Sequence, residues 1–333
     1  MNLKCDAVLE GGGVRGIGHV GAAYALEQSG YSFENLAGSS AGAIVAALLA
    51  VGFSATEIRR ELENLDYKKF QQPTVIDNFG PVGKLVNLTN NFGIYSTSYF
   101  YKWFSGLLAQ KGKKTFGDIR LASSPQAKYT YKLQVTASDV TAQKLLVLPW
   151  DIRDFGIDPD KLQIADAVRM SMSIPFFYEP VVIRDKRGKE HIIVDGGLLS
   201  NYPIWMLDDG SSNPPYPTFG FKFIAPPKKA TFFTDPYDEN INFVEYVQSI
   251  TETLLKACDN THISESKGDL MRSILIPCEV KVHGKRKEIK STDFDITPEE
   301  TQALFMNGYN AATNFLKKWN FDVWKRAYRS SHR

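Results

Sequence analysis

Short apolar runs that end in glycine alternate with stretches of helical period over most of this chain. Residues 6–10 (DAVLE) predict a short buried strand leading directly into Gly11-Gly12-Gly13-Val14-Arg15-Gly16. A helix of small residues follows at 19–28, with Gly30 as its stop. The apolar run 35–37 leads into Gly38-Ser39-Ser40-Ala41-Gly42 and then into the alanine-rich stretch 43–50, which reads as strand, sharp turn and helix. Ser54 and Glu57 form a capping box that opens a helix to about Leu65. Further on, 129–138, 144–148, 191–194, 219–224 and 274–277 predict strands, and 163–172 and 242–262 predict helices. Thr297-Pro298-Glu299-Glu300 starts a last helix to about Lys318.

The segment 67–112 breaks this alternation. It is rich in aromatic residues spaced by Gly, Asn and Pro, and 98–108 has the pattern of an amphipathic helix. A partly buried insertion and a lid or membrane-facing flap both fit it. No repeat, low-complexity tract or linker divides the 333 residues, so one domain is expected.

With 43% hydrophobic and 23% charged residues and a net charge of +2, nothing in the composition points to nucleic acid. Weak peripheral contact with an anionic membrane surface stays open. Cys5, Cys258 and Cys278 have no metal-ligand spacing and cannot form a disulfide framework, which suits a reducing, cytoplasmic setting. The N-terminus lacks the apolar core of a signal peptide, and the longest apolar stretch, 41–53, is well short of the ~20 residues of a spanning helix. The sequence does not speak to oligomeric state.

Gly38-x-Ser40-x-Gly42 has the form of a nucleophile elbow, in which a strained serine stands at a strand-to-helix turn. The helix N-terminus behind it would face charge forming near the hydroxyl. Gly11, Gly13 and Gly16 fit the dinucleotide pattern G-x-G-x-x-G, but no β-branched strand leads into Glu34, the acid at the required distance. Consecutive glycines can equally turn backbone N–H groups toward the oxyanion of an acyl intermediate. Serine needs a base. None of the histidines, His19, His191, His262, His283 and His332, has a setting that suits one. Asp195 ends an apolar strand and precedes Gly196 and Gly197, where a carboxylate could take the serine proton directly.

These three motifs in this order resemble the patatin-like phospholipase family. Val168-Arg169-Met170-Ser171-Met172-Ser173-Ile174-Pro175 is similar to that family's Arg-Ala-Ser-x-Ala-Ile-Pro block, with Met170 and Ser173 in place of alanines. Asn201-Tyr202-Pro203, Phe294-Asp295-Ile296 and Gly308-Tyr309 resemble its later landmarks. The resemblance implies a three-layer α/β/α fold around a central, mostly parallel sheet. It implies a Ser40–Asp195 dyad and an oxyanion hole from the amides of Gly12, Gly13, Val14 and Arg15, with no metal or cofactor. The implied activity is lipid acyl-ester hydrolysis of the phospholipase A, lysophospholipase or esterase type. A catalytically silent lipid- or membrane-binding protein of the same fold is the alternative.

Overall fold

A computed structural model describes residues 3–71, 92–122, 126–226, 253 and 268–329. Among these, the strands are β1 (Leu3–Leu9), β2 (Tyr31–Gly38), β3 (Gly93–Tyr95), β4 (Leu133–Asp139), β5 (Lys144–Leu148) and β6 (Phe176–Tyr178), followed by β7 (Val181–Arg184), β8 (Glu190–Asp195), β9 (Thr218–Ile224), β10 (Ser273–Pro277), β11 (Glu279–Val282) and β12 (Lys285–Glu288). The α-helices are α1 (Gly16–Gln28), α2 (Ala41–Ala50), α3 (Ala55–Glu63), α4 (Ser98–Gln110), α5 (Ile164–Met172), α6 (Gly197–Ser200), α7 (Pro298–Leu316) and α8 (Phe321–Tyr328). The expected helix at 242–262 lies outside the described residues except for Thr253.

Eight strands form the main sheet in the order β10-β9-β1-β2-β4-β8-β7, with β5 also paired to β4. From β10 to β4 every neighbour is parallel. β5 and β8 run antiparallel to β4, and β7 antiparallel to β8. This is the mostly parallel, helix-flanked sheet the sequence implied.

Strands buried on both faces lose the apolar/polar alternation, and β1 shows why. Cys5, Ala7 and Leu9 enter the main core with α1, α2, α5 and α7, while Val8 joins Ala37, Met206 and Leu207 on the other face. α1 is buried almost all round, which is why its sequence is small and apolar without a polar stripe. Strands β3, β6, β7, β11 and β12 and helix α8 escaped the sequence reading. They are short, and tertiary contacts rather than periodicity define them.

The capping box at the start of α7 forms as expected. Thr297 Oγ1 accepts the Glu300 N–H at 3.2 Å, and Glu300 Oε2 accepts the Thr297 N–H at 3.0 Å. Thr297→Ala should lower the unfolding free energy by about 1 kcal/mol. A urea melt with an unchanged m-value would check this, and an unchanged midpoint would contradict it.

Candidate active site

A strand has two edges, and β4 uses both in a way that builds the site. β5 covers Val135–Asp139 on one edge, from Val135↔Leu148 to Asp139↔Lys144. The other edge must therefore hold both β2, paired over Leu36↔Leu133 to Gly38↔Val135, and β8, paired over Ala137↔Asp195 to Asp139↔Ile193. Parallel β2 and antiparallel β8 thus meet end to end along one side of β4. Their last residues, Gly38 and Asp195, stand against β4 positions two residues apart, about 7 Å. Asp195 arrives on an antiparallel strand, not on a further parallel one.

Ser40 follows immediately, at φ 51° and ψ −125°, as the N-cap of α2. A non-glycine residue in this region carries strain of order 1–3 kcal/mol, held by its surroundings. Gly42 supplies the room: a Cβ there would overlap the carbonyl oxygens of Leu9 and Glu10. The Ser40 N–H donates to Ser171 Oγ at 2.9 Å. The same short segment holds Asp195, whose N–H donates to the Ser173 carbonyl at 2.8 Å, while the Gly196 N–H donates to the Ser171 carbonyl at 3.2 Å. The end of α5 therefore clamps both candidate residues through their backbones. In the sequence this block carried only a motif likeness, with no role for its residues. Its Ser171 hydroxyl is a positioning group that only the fold reveals.

Asp195 is 1% exposed. Its Oδ1 accepts the Gly197 N–H at 2.7 Å. Burial pushes its pKa up to about 7, against the opposing pull of the Ser40 hydroxyl and the Gly197 N–H. The Ser40 side chain is thus a neighbour that favours the ionised carboxylate, but among the described residues Oδ2 makes no hydrogen bond of full geometry. A loose contact of this kind is common before substrate closes a site.

The glycine loop lies beside Ser40 at the end of β1. Gly13 has φ +55°, and a Cβ there would run into the Ser291 carbonyl. The Val14 N–H donates to that same carbonyl at 3.0 Å, the Arg15 N–H to Gly12 at 3.1 Å, and the Gly11 N–H to Asn201 at 3.0 Å. Among the described residues, the amides of Gly12, Gly13, Ala41 and Gly42 have no acceptor. Arg15 braces the loop: its Nε donates to the Gly12 carbonyl at 3.1 Å and Nη1 to Cys278 Sγ at 3.3 Å, with the guanidinium 5.0 Å from the Phe223 ring centre. Ser291 belongs to no motif, so its part in the loop had no signal in the sequence.

Ser40, Gly13 and Gly16 open onto a pocket of about 600 Å³, its mouth included, whose walls are almost wholly apolar. Ile44, Leu62 and Met172 line it, and the aromatic segment adds Tyr67, Phe70 and Trp103. Phe100 and Phe104, on the same helix as Trp103, are buried in the core. The described parts of 67–112 are therefore packed into the domain and form one wall of the pocket.

No described histidine lines this pocket. His19 is buried, with Nε2 2.8 Å from the Glu10 carbonyl, and burial lowers its pKa to about 3 so that it stays neutral. His191 Nδ1 lies 2.6 Å from Asp139, and His283 sits exposed in the β11–β12 turn. His262 and His332 fall outside the described residues. Glu34, the acid a dinucleotide site would need, lies within β2, 3.3 Å from Lys4, and does not approach the glycine loop. Among the described residues, no His, Cys, Asp or Glu cluster could hold a metal ion, and no helix is long and apolar enough to cross a membrane.

A mostly parallel sheet flanked by helices, a strained serine at a strand-to-helix elbow and a buried aspartate on an adjoining strand define an α/β/α protein of the patatin class. The chain belongs to the patatin-like phospholipase family, which matches residues 7–208. It is 34% identical over 321 residues to the uncharacterized protein YqhO of Bacillus subtilis, covering 96% of this chain and 100% of that one. It is 26% identical over 199 residues to the lysophospholipase NTE1 of Eremothecium gossypii, covering 59% of this chain and 10% of that protein. The crystal structure of VipD from Legionella pneumophila superposes with a TM-score of 0.54 at 20% identity, covering 94% of this chain and 66% of that one. At that identity the likeness speaks for the fold alone.

Ser171→Ala removes the acceptor for a buried N–H at the elbow, which costs about 1–3 kcal/mol. With Ser40 as nucleophile, esterase turnover should fall ~10-fold or more while KM stays close to its original value, because Ser171 is fully buried and does not line the pocket. Unchanged turnover in a folded Ser171→Ala protein would contradict the clamp.

Proposed function

We propose that this protein hydrolyses acyl esters of lipids through Ser40 and Asp195. The observation that carries the reading is the strained Ser40, facing both a buried carboxylate with a raised pKa and an apolar pocket. Asp195 takes the hydroxyl proton as Ser40 attacks the ester carbonyl, and the leaving alcohol departs with a proton as the acyl-enzyme forms. Asp195 then activates water to release the acid. Of the four loop amides expected to hold the oxyanion, those of Gly12 and Gly13 remain unspent, so the proposal narrows the hole to them, backed by the amino end of α2. The acyl chain lies against Ile44, Leu62, Tyr67, Phe70 and Trp103. The lysophospholipase name of the NTE1 relative supports a lipid ester as substrate.

Ser40→Ala and Asp195→Asn should each reduce turnover of a p-nitrophenyl acyl ester to background, and Ser40→Ala should no longer take up a fluorophosphonate label. Retained labelling and turnover in either variant would overturn the dyad.

Because the carboxylate must be ionised to accept a proton, kcat/KM should rise with pH and level off above about 7. Stability runs the other way. Between about pH 4 and 7 the folded chain keeps a proton on Asp195 that the unfolded chain has released, so raising the pH over that window removes stability. Asp195→Asn should flatten this part of the pH–stability curve and melt no lower than wild type above pH ~7. Thermal melts across the range test it, and an unaltered slope would refute the assignment.

A further inference from the structure

We propose that a second cavity, separate from the Ser40 pocket, binds a small free amine that also carries an oxygen, of the amino-alcohol class. The cavity encloses about 750 Å³, its mouth included, and lies on the Val8 side of the sheet, where Asp6, Asn35 and Thr218 come together on β1, β2 and β9.

The feature that builds it is a β-bulge. The β1–β2 register runs Cys5↔Phe33 and then Ala7↔Leu36, so Glu34 and Asn35 both stand against Asp6. An extra residue in a strand frees a backbone N–H from the ladder and re-aims side chains. Here the Asn35 N–H and Asn35 Nδ2 both donate to Asp6 Oδ1, each at 2.9 Å. Among the described residues, Asp6 Oδ2 accepts no hydrogen bond, and neither does Asn35 Oδ1. These side chains are only 5% and 4% exposed, and both line the cavity.

A buried acceptor without a donor, Asn35 Oδ1, beside a carboxylate oxygen that is not spent on any hydrogen bond, is costly in a stable fold unless something fills the site. Capping the bulge accounts for Asp6 Oδ1 but leaves Oδ2 and the empty volume unexplained. The neighbouring charges are otherwise engaged. Glu34 lies 3.3 Å from Lys4, Asp209 accepts from Gln126 at 3.1 Å, and Lys128 donates to the Asp208 carbonyl at 2.9 Å. Arg272 is paired with Asp269 and Asp208, and Arg329 with Asp208.

Burial, then the charges of Glu34 and Asp209, raise the Asp6 pKa to about 7 against the two Asn35 bonds. A cation seated there would relieve that cost. Arg329 Nε, on the same cavity, is a buried donor with no acceptor among the described residues. An ammonium for Asp6 and Asn35, together with a hydroxyl for Arg329, meets these needs in one small molecule. The apolar remainder of the wall, including Pro214 and Pro215, suits its short carbon chain.

The test is calorimetric titration of the full chain with ethanolamine at about pH 8, where the amine is protonated and Asp6 ionised, with ethylene glycol as the uncharged control. Saturable binding of ethanolamine alone is expected, and Ser40→Ala should keep it, which separates this site from the hydrolase reading. Asp6→Asn, which retains an Oδ1 for the bulge amide, should weaken binding ~10-fold or more. If Asp6→Asn does not fold, Tyr216→Phe, which removes a hydroxyl that lies on the same cavity 3.5 Å from Asn35 Nδ2, should weaken binding measurably. The absence of saturable binding, or undiminished affinity in a folded Asp6→Asn or Tyr216→Phe protein, would overturn the proposal. Sedimentation with phosphatidylethanolamine vesicles, without binding of free ethanolamine, would also overturn it, in favour of a lipid headgroup.

Discussion

Everything at the site depends on how one edge of β4 is divided. Because β5 occupies the opposite edge, β2 and β8 have to share what remains, and they meet head to head. Chains far apart in sequence are thereby brought to within two strand residues of each other, with a serine elbow at one end and an aspartate at the other. In a uniformly parallel sheet the two strand ends would lie side by side across the hydrogen-bonding direction. The antiparallel return of β8 points Asp195 back toward the elbow.

The site concentrates unfavourable conformations and charges. Ser40 has a positive φ, Asp195 is a buried carboxylate with one bare oxygen, and among the described residues the loop amides of Gly12 and Gly13 lack acceptors. None of these would persist on a flexible loop, because each would relax into water or ordinary backbone geometry. They persist because the segment from Ser171 to Ser173 ties Ser40 and Asp195 to one helix end, and because Ser291 and Arg15 hold the glycine loop from behind. The rigid core bears the strain, and the unspent hydrogen-bonding capacity faces the pocket. The bulge at Asp6 shows the same pattern on a smaller scale at a second place on the same two strands.

The pocket wall depends on the aromatic segment. Phe100 and Phe104 pack stacked 5.3 Å apart in the core, while Trp103 and Phe70 meet edge to face at 6.0 Å beside the cavity. One helix thus serves as both core and lining, since Phe100 and Phe104, one turn apart, share a face while Trp103 is turned about 100° away from Phe104. This is why its composition fitted both a buried insertion and a flap.

The chain's order of motifs already contained the elbow, the glycine loop and the aspartate, because each needs glycine next to a functional residue and glycine patterns survive as plain text. The long strands and capped helices were readable for a similar reason, since their signals are local: a run of apolar residues, a Thr-Pro-Glu-Glu start. Other features required the folded molecule. Ser171 and Ser291 act through a hydroxyl and a carbonyl that any serine possesses, so nothing in their spelling marks them. Which amides of Gly12, Gly13, Val14 and Arg15 stay unspent depends on what the rest of the chain places behind the loop. The raised pKa of Asp195 comes from burial that no stretch of sequence around it announces. Local propensity is written residue by residue, whereas burial, edge sharing and hydrogen-bond partners belong to pairs of segments that meet only in the folded chain, and only packing decides them.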